Sequence, residues 1–295
     1  MSGSDVSIVV VTHNEGDVLT RTLSRLRAST ARANVEFVVV DDASSDGSAR
    51  PLTTRWFDVE FVRSEQRLGI ARARNLGATV ANGSVLVFSD AHVEPDEGWL
   101  EPLCQELDQA GVAAVAPAIG GATSDAVDGY GFSWRRPDLA MQWLTEKPER
   151  PAPIPFVCGC FLAVRRDAFE ECDGFDEGLL LWGWEDAELS LRLWRRGWEC
   201  RVVPNSRIVH LFRNHFPYEM PWELLVHNVL RTATVHLDER TLAAVVDHYT
   251  ANPGFPRAGA LLAASDVWHR RARVRASSPV STAAVLERFS IDAVA

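Results

Sequence analysis

The feature that most constrains this chain is a pattern repeated in its first third: a short β-branched run, a polar cluster, then an amphipathic stretch. Val6 to Val11 reads VSIVVV and ends in Thr12-His13-Asn14-Glu15. Val35 to Val40 reads VEFVVV and ends in Asp41-Asp42-Ala43-Ser44-Ser45-Asp46-Gly47. Val85 to Phe88 leads into Ser89-Asp90-Ala91-His92. Apolar runs of this length suit strands covered on both faces of a parallel sheet. Between them, Val18, Leu19, Leu23 and Leu26 share one helical face. A short strand is expected over Val59 to Val62, and residues 69–81 read as helical. Strand, helix, strand, helix, strand at this spacing implies an α/β fold with crossover connections. Ligands of such sheets bind beyond the carboxyl ends of strands, where all three polar clusters sit.

The second half is less regular. Residues 112–155 are richer in Gly, Pro and Trp, and Phe156 to Val164 (FVCGCFLAV) reads as another buried strand. Residues 185–197 are helical in pattern, and Cys200 to Pro204 and Ile208 to Phe212 read as two short strands. Beyond Pro221 the chain is mostly helical, with Leu224, Leu225, Val229, Leu230 and Leu237 as an apolar stripe; these C-terminal helices could pair subunits in a homodimer.

With 295 residues the chain can bury a sizeable core without staples. Its net charge of −10 argues against capture of nucleic acid or anionic membrane by the whole surface. The five cysteines form no disulfide framework, and no apolar run reaches membrane-spanning length. With no signal peptide legible, a reducing cytoplasmic setting is the expectation.

Four groups of residues carry chemistry. Asp41-Asp42 ends a strand, and either caps a turn or accepts hydrogen bonds from a ribose or base. Asp90 and His92 stand at i and i+2, so in extended backbone they face one side and can share a cation. His210, ending a later strand, is either a lone packed histidine or a third ligand; a set completed in that way would suit Mn²⁺ or Mg²⁺, and its imidazoles would tilt the choice toward a transition metal. Arg67, Arg72 and Arg74 form either a solvated helix face or a diphosphate contact. Trp182-Gly183-Trp184-Glu185-Asp186 opens a helix with two carboxylates beside two Trp faces, a composition suited to sugar stacking and to hydroxyl binding or base chemistry.

Taken in order, VSIVVVTHNE, VVVDDASSDGS, RLGIARARNLGA and VLVFSDAHVEP resemble the nucleotide-binding half of family 2 GT-A glycosyltransferases. The stretch GFDEGLLLWGWEDAELSLRLWRRGWECRVVPNSRIVHLFRNHFPY is similar to the matching part of polypeptide N-acetylgalactosaminyltransferases. The likeness covers roughly residues 5–240, and His227-Asn228 and Arg231 extend it. It implies a Rossmann-like GT-A fold with a mixed, mainly parallel sheet, a catalytic domain over 1–220 and a helical extension over 221–295. It implies Mn²⁺ held by Asp90, His92 and His210, bridging the diphosphate of a UDP-sugar. Thr12, Asn14, Glu15 and Asp42 would line uridine and ribose. Arg72 would meet sugar or diphosphate, and Arg213 and Tyr218 would stabilise the leaving UDP. Trp182, Glu185 and Asp186 would face donor sugar and acceptor.

This string is WGWED where the family has WGGEN, so Trp184 adds bulk and Asp186 adds charge to the substrate-binding face. The expected reaction is metal-dependent transfer of a hexosyl or N-acetylhexosaminyl group to a hydroxyl or thiol on a peptide, glycan or small molecule. If Asp186 or Glu185 is the base, displacement inverts; the extra carboxylate tilts the expectation that way. A compact bacterial enzyme is expected. The rival is a non-catalytic nucleotide-sugar or glycan-binding module of the same fold.

Overall fold

The structure is a computed structural model, and it describes residues 5–30, 33–49, 58–121, 127–135, 137–213 and 219–291. The expected strands form: β1 (Val6–Thr12), β2 (Val35–Asp42), β3 (Val59–Ser64) and β4 (Val85–Asp90). They are followed by β5 (Val93–Pro95), β6 (Val112–Gly121), β7 (Phe132–Arg135), β8 (Ala140–Trp143), β9 (Ala152–Pro153), β10 (Phe161–Arg165) and β11 (Glu199–His210). The main sheet runs β3-β2-β1-β4-β10-β6-β11-β5, with β9 beside β11; β7 and β8 form a separate hairpin. β1 is parallel to β2 and β4, and β2 to β3.

Directions in this sheet decide where the site lies. β10 is antiparallel to β4 and to β6, and β11 is parallel to β6. The ends of β1, β4 and β11 and the start of β10 therefore share one edge. Glu15, Asp90, His210 and the turn before Phe161 meet there, although up to about 200 residues separate them. β5 adds the last constraint: it pairs antiparallel with β11, with His210 opposite Val93, so His92 lies beside His210.

The sheet is covered on both faces, as its apolar strands require. Leu19, Leu23 and Leu26 of the Asp17–Ser29 helix and Leu100, Leu103 and Leu107 of the Leu100–Leu107 helix fill one side. The Ile70–Val80 and Glu185–Arg195 helices fill the other. Helices Trp222–His236, Glu239–Tyr249, Phe255–Ala263, Val267–Ala276 and Thr282–Arg288 follow, and Val226, Val229, Leu230 and Ala233 belong to the same apolar cluster as Val9 and Val38 of the sheet. The expected stripe shifts in detail, since Leu224 and Leu225 are only half-buried while residues 226–236 are buried all round.

Two other expectations need correction. FVCGCFLAV is not one strand: Phe156 makes an isolated bridge to Phe132, the Phe161 N–H turns back to the Cys158 carbonyl (3.2 Å), and the strand β10 begins at Phe161. The two short strands over 200–212 are one, Glu199–His210; its register slips between Val203 and Arg207, where Pro204 brings no N–H to the ladder.

Candidate active site

A cavity of about 490 Å³ opens at the shared strand edge. One wall is polar, with Glu15, Arg74, Asp90, His92, His210 and Arg213; the facing wall carries Phe132, Met141, Trp143 and Phe212 from the hairpin and the segment after β11.

The polar wall is organised around Asp90. Its Oδ2 lies 3.4 Å from His210 Nε2 and 3.9 Å from His92 Nε2. Its Oδ1 is held by Arg74 Nη2 at 3.1 Å. One donor atom from each of Asp90, His92 and His210 falls within 4.8 Å of the others, so the three can close on one cation. One carboxylate oxygen with two imidazoles suits a borderline divalent metal. His210 Nδ1, the ring nitrogen not facing Asp90, is buried without a hydrogen-bond partner among the described residues. Behind this cradle, Glu15 Oε1 stands 3.3 Å from His92 Nδ1, close enough for charge pairing though not aligned for a hydrogen bond, and both Glu15 oxygens meet the Arg213 guanidinium. A carboxylate behind a ligating imidazole fixes ring orientation and raises its basicity. Burial lowers the His92 ring, but Glu15 and Asp90 outweigh it and leave it raised.

Arg74 is the hub. It is 1% exposed, and besides Asp90 it reaches Glu185 Oε1 (3.0 Å) and the Gly159 carbonyl (2.5 Å). Arg72, the residue expected here, is exposed and donates to the Glu177 carbonyl instead (2.8 Å). Two residues along a helix turn the side chain by about 200°, so only one of the pair can face the cavity. Ala71, Gly77 and Ala78 are buried on the face that carries Arg74.

The WGWED string keeps its place at the cavity through backbone strain and one amide. Leu181, Gly183 and Trp184 all have positive φ (57°, 100° and 68°). Buried Asn228 holds the loop: its side chain accepts from Leu180 N–H (2.8 Å) and donates to the Leu180, Trp182 and Gly183 carbonyls. Trp182 is 40% exposed at the cavity, and Trp184 points its Nε1 to the Leu139 carbonyl (3.3 Å). Glu185 and Asp186 are buried and committed. Glu185 accepts from Arg74 and from Gly183 N–H (3.0 Å); Asp186 accepts from Gly159 N–H and Ala187 N–H, each 2.8 Å. Burial, reinforced by Asp186, pushes the Glu185 carboxyl up to about 7; burial also raises Asp186. Each Asp186 oxygen thus accepts one backbone N–H in this structure.

The nucleotide-side expectations divide. Glu15 lines the cavity, but Thr12, Asn14 and Asp42 do not. Asn14 Oδ1 pins the Ser45 and Asp46 amides (2.8 and 3.2 Å). Asp42 accepts from the Leu68 and Gly69 amides (2.6 and 3.0 Å) and pairs with Arg67. Both side chains thus hold loops beside the cavity in this structure. Thr12 is buried at the end of β1, its hydroxyl without a partner among the described residues. Tyr218 lies outside the described residues. His13, passed over in the sequence, lines the cavity; its Nδ1 donates to the Asp42 carbonyl (2.7 Å), which leaves Nε2 as an acceptor.

The family model of glycosyl transferase family 2 matches residues 7–173, and that of the N-terminal domain of galactosyltransferase matches residues 140–215. The chain belongs to glycosyl transferase family 2. Similar curated proteins include human polypeptide N-acetylgalactosaminyltransferase 16, 32% identical over 252 residues, covering 79% of this chain and 45% of the relative. A probable N-acetylgalactosaminyltransferase 6 of Caenorhabditis elegans is 32% identical over 265 residues, covering 79% and 42%. The chain thus spans less than half the length of these relatives. A crystal structure of GalNAc-T7 with UDP, GalNAc and Mn²⁺ superposes with a TM-score of 0.80 at 25% identity, covering 99% of this chain and 57% of that one. A mannosyltransferase of Pyrobaculum calidifontis, in complex with GDP-Man and Mn²⁺, shares the fold (TM-score 0.57, 20% identity, covering 99% and 81%). The mixed, mainly parallel sheet of this family 2 member is that of the GT-A fold.

Proposed function

We propose that this chain transfers a hexosyl or N-acetylhexosaminyl group from a UDP-sugar to a hydroxyl or thiol acceptor, with Mn²⁺, or Mg²⁺ in its stead, held by Asp90, His92 and His210. The observation that carries the reading is the convergence of these three side chains, from two distant segments, on one point of a nucleotide-type strand edge. The hard step in breaking a sugar–diphosphate bond is charge build-up on the departing diphosphate. A cation held by Asp90, His92 and His210 would supply Lewis-acid stabilisation of that charge. Arg213, oriented by Glu15 at the same wall, adds a guanidinium donor that needs no reorganisation as the charge develops. Arg74 fixes Asp90 and Glu185 relative to one another, and Trp182 offers an exposed face for sugar or acceptor. Tyr218 keeps its proposed place near the leaving group on the sequence likeness alone.

Retention of anomeric configuration is the favoured outcome. Four carboxylates line the cavity among the described residues: Glu15, Asp90, Glu185 and Asp186. Each is already paired with a guanidinium, an imidazole or a backbone amide, which favours an anchoring role for them over that of an acceptor base. The names of the curated relatives favour a peptide acceptor.

Among the described residues no helix is long and apolar enough to cross a membrane. The cytoplasmic proposal rests on five free cysteines. A bacterial source draws no support from the curated relatives named above, which are animal proteins.

The test is release of UDP from a panel of UDP-sugars with and without Mn²⁺, followed by NMR of the product. Mn²⁺-dependent release is the expected result. Tight UDP binding with no release from any donor would leave the non-catalytic module standing, and a β-linked product from a UDP-α-sugar would overturn retention.

A further inference from the structure

Cys158 and Cys160 are absorbed by neither the cation cradle nor the proposed transfer step. Their sulfurs stand 3.2 Å apart across Gly159, and both residues line the cavity. The other three cysteines lie elsewhere, and none of them lines it. We propose that this dithiol is a modification site, oxidised to a Cys158–Cys160 disulfide by small aliphatic disulfides that enter the cavity, and that closure of the bond disables the site.

The exchange balances without a further reagent. A thiolate of the pair attacks one sulfur of the small disulfide, expelling one small thiol and leaving a mixed disulfide on the protein. The second cysteine then displaces the other small thiol. The protein loses two electrons to the reagent, and its two protons leave on the two released thiols.

Geometry connects this bond to the site. A disulfide needs its sulfurs about 2 Å apart, so the pair must close by roughly 1 Å and the turn between them must move. Nothing around Gly159 is free to follow. Its N–H donates to Asp186 (2.8 Å) and its carbonyl accepts from Arg74 (2.5 Å). A Cβ placed on it would stand 3.0 Å from Asp186 Oδ2 and 3.1 Å from Glu185 Oε1. The Cys160 carbonyl accepts the N–H of Asp90 itself (2.9 Å). A displaced turn therefore disturbs Arg74, Glu185, Asp186 and the backbone of Asp90 together. Small misplacements of such groups cost up to about a hundredfold in rate.

The modification stands without the glycosyltransferase reading, whereas its effect on UDP release rests on it; the two are read separately. The full chain is equilibrated with bis(2-hydroxyethyl) disulfide or with dithiothreitol. Free thiols are then alkylated and the peptide spanning residues 158–160 is examined by mass spectrometry. Phenylarsine oxide, which bridges paired thiols, is applied to the reduced protein with and without UDP and Mn²⁺. The expected result is loss of both alkylation sites at 158 and 160 as an internal bond, arsenical capture blocked by UDP with Mn²⁺, and at least about a tenfold fall in UDP release that dithiothreitol reverses. In Cys160→Ala the ratio of oxidised to reduced activity should stay near one, whatever that variant's own rate. Cysteines 158 and 160 that remain separately alkylatable overturn the proposal, as does an internal bond that leaves UDP binding and release unchanged. If no donor is cleaved even by the reduced protein, the functional reading falls, while the mass measurement still decides the modification.

Discussion

Replacing Glu15 by Gln tests whether the cation cradle depends on a residue placed behind it. Glu15 is 8% exposed, lies 3.3 Å from His92 Nδ1, and meets Arg213 with both oxygens. Burial alone would raise its carboxyl, but His92 and Arg213 outweigh that and hold it below the usual range. Gln keeps the shape and one acceptor oxygen but removes the charge that makes the imidazole a better ligand. Outer partners of this kind contribute about 10- to 100-fold in metal affinity. The Mn²⁺ dissociation constant should therefore rise about tenfold in Glu15→Gln, roughly 1.4 kcal/mol, and by up to about a hundredfold in Glu15→Ala. The deficit also has a pH sign. Protons compete with the cation for His92, so affinity grows as pH rises through its raised value. Glu15→Gln lowers that value, so acid handicaps the wild type more, and the deficit should be larger near pH 8 than near pH 6. Calorimetric titration of Mn²⁺ into the UDP-saturated protein reads the constant directly. Unchanged Mn²⁺ affinity with weakened UDP binding would refute the reasoning, because Glu15 would then act on the nucleotide and not behind His92.

Three further outcomes are expected. Asp90→Asn and His210→Ala each remove one converging donor, so UDP release should fall at least about a hundredfold; a rate within tenfold of the parent at saturating Mn²⁺ contradicts the cradle. Glu185 is raised from 4.5 to about 7, chiefly by burial. A raised carboxyl contributes stability below its unfolded value and loses it as pH climbs through about 7, so metal-free Glu185→Gln should gain on the wild type between about pH 5 and pH 8.5, on the order of 3 kcal/mol. Denaturant titrations at both pH values check this, and a pH-independent difference sinks it. Gly69→Ala forces a Cβ to within 2.7 Å of the Leu181 backbone at φ +82°, costing about 1–3 kcal/mol; thermal unfolding decides, and an unchanged Tm tells against the close approach of this turn to the WGWED loop.

The fold was legible because its strands are buried on both faces and announce themselves as unbroken β-branched runs. VSIVVV, VEFVVV and VLVF each became strands within two residues of the expected ends. Errors came where backbone chemistry outranks side-chain pattern. FVCGCFLAV has a strand's composition, but a Cys-Gly-Cys turn interrupts it and its amide serves a carboxylate. Pro204 looked like a stop, yet β11 carries it through an irregular stretch.

The site was legible in residue type and less so in direction. His210 comes to His92 through a three-residue edge strand that pairs back on β11, and no local pattern at Val93-Glu94-Pro95 announces that partner. Only the likeness to a known family linked the two histidines. Arg72 against Arg74 was decidable from phase alone, because the small residues Ala71 and Ala78 mark the packed face and Arg74 shares it. The carboxylates were the hardest. Asp42, Glu185 and Asp186 all read as groups offered to a ligand, yet Asp42 and Asp186 are held by backbone N–H groups from loops far off in sequence, and Glu185 by the distant Arg74 side chain and the neighbouring Gly183 N–H. A sequence shows which side chains can accept hydrogen bonds but hides which amides will donate them, since every non-proline residue carries the same donor. Acidic residues at strand ends are for that reason poor witnesses to the base in a mechanism. The cation ligands are better ones, because a partly buried carboxylate with two imidazoles at one point has few purely structural uses.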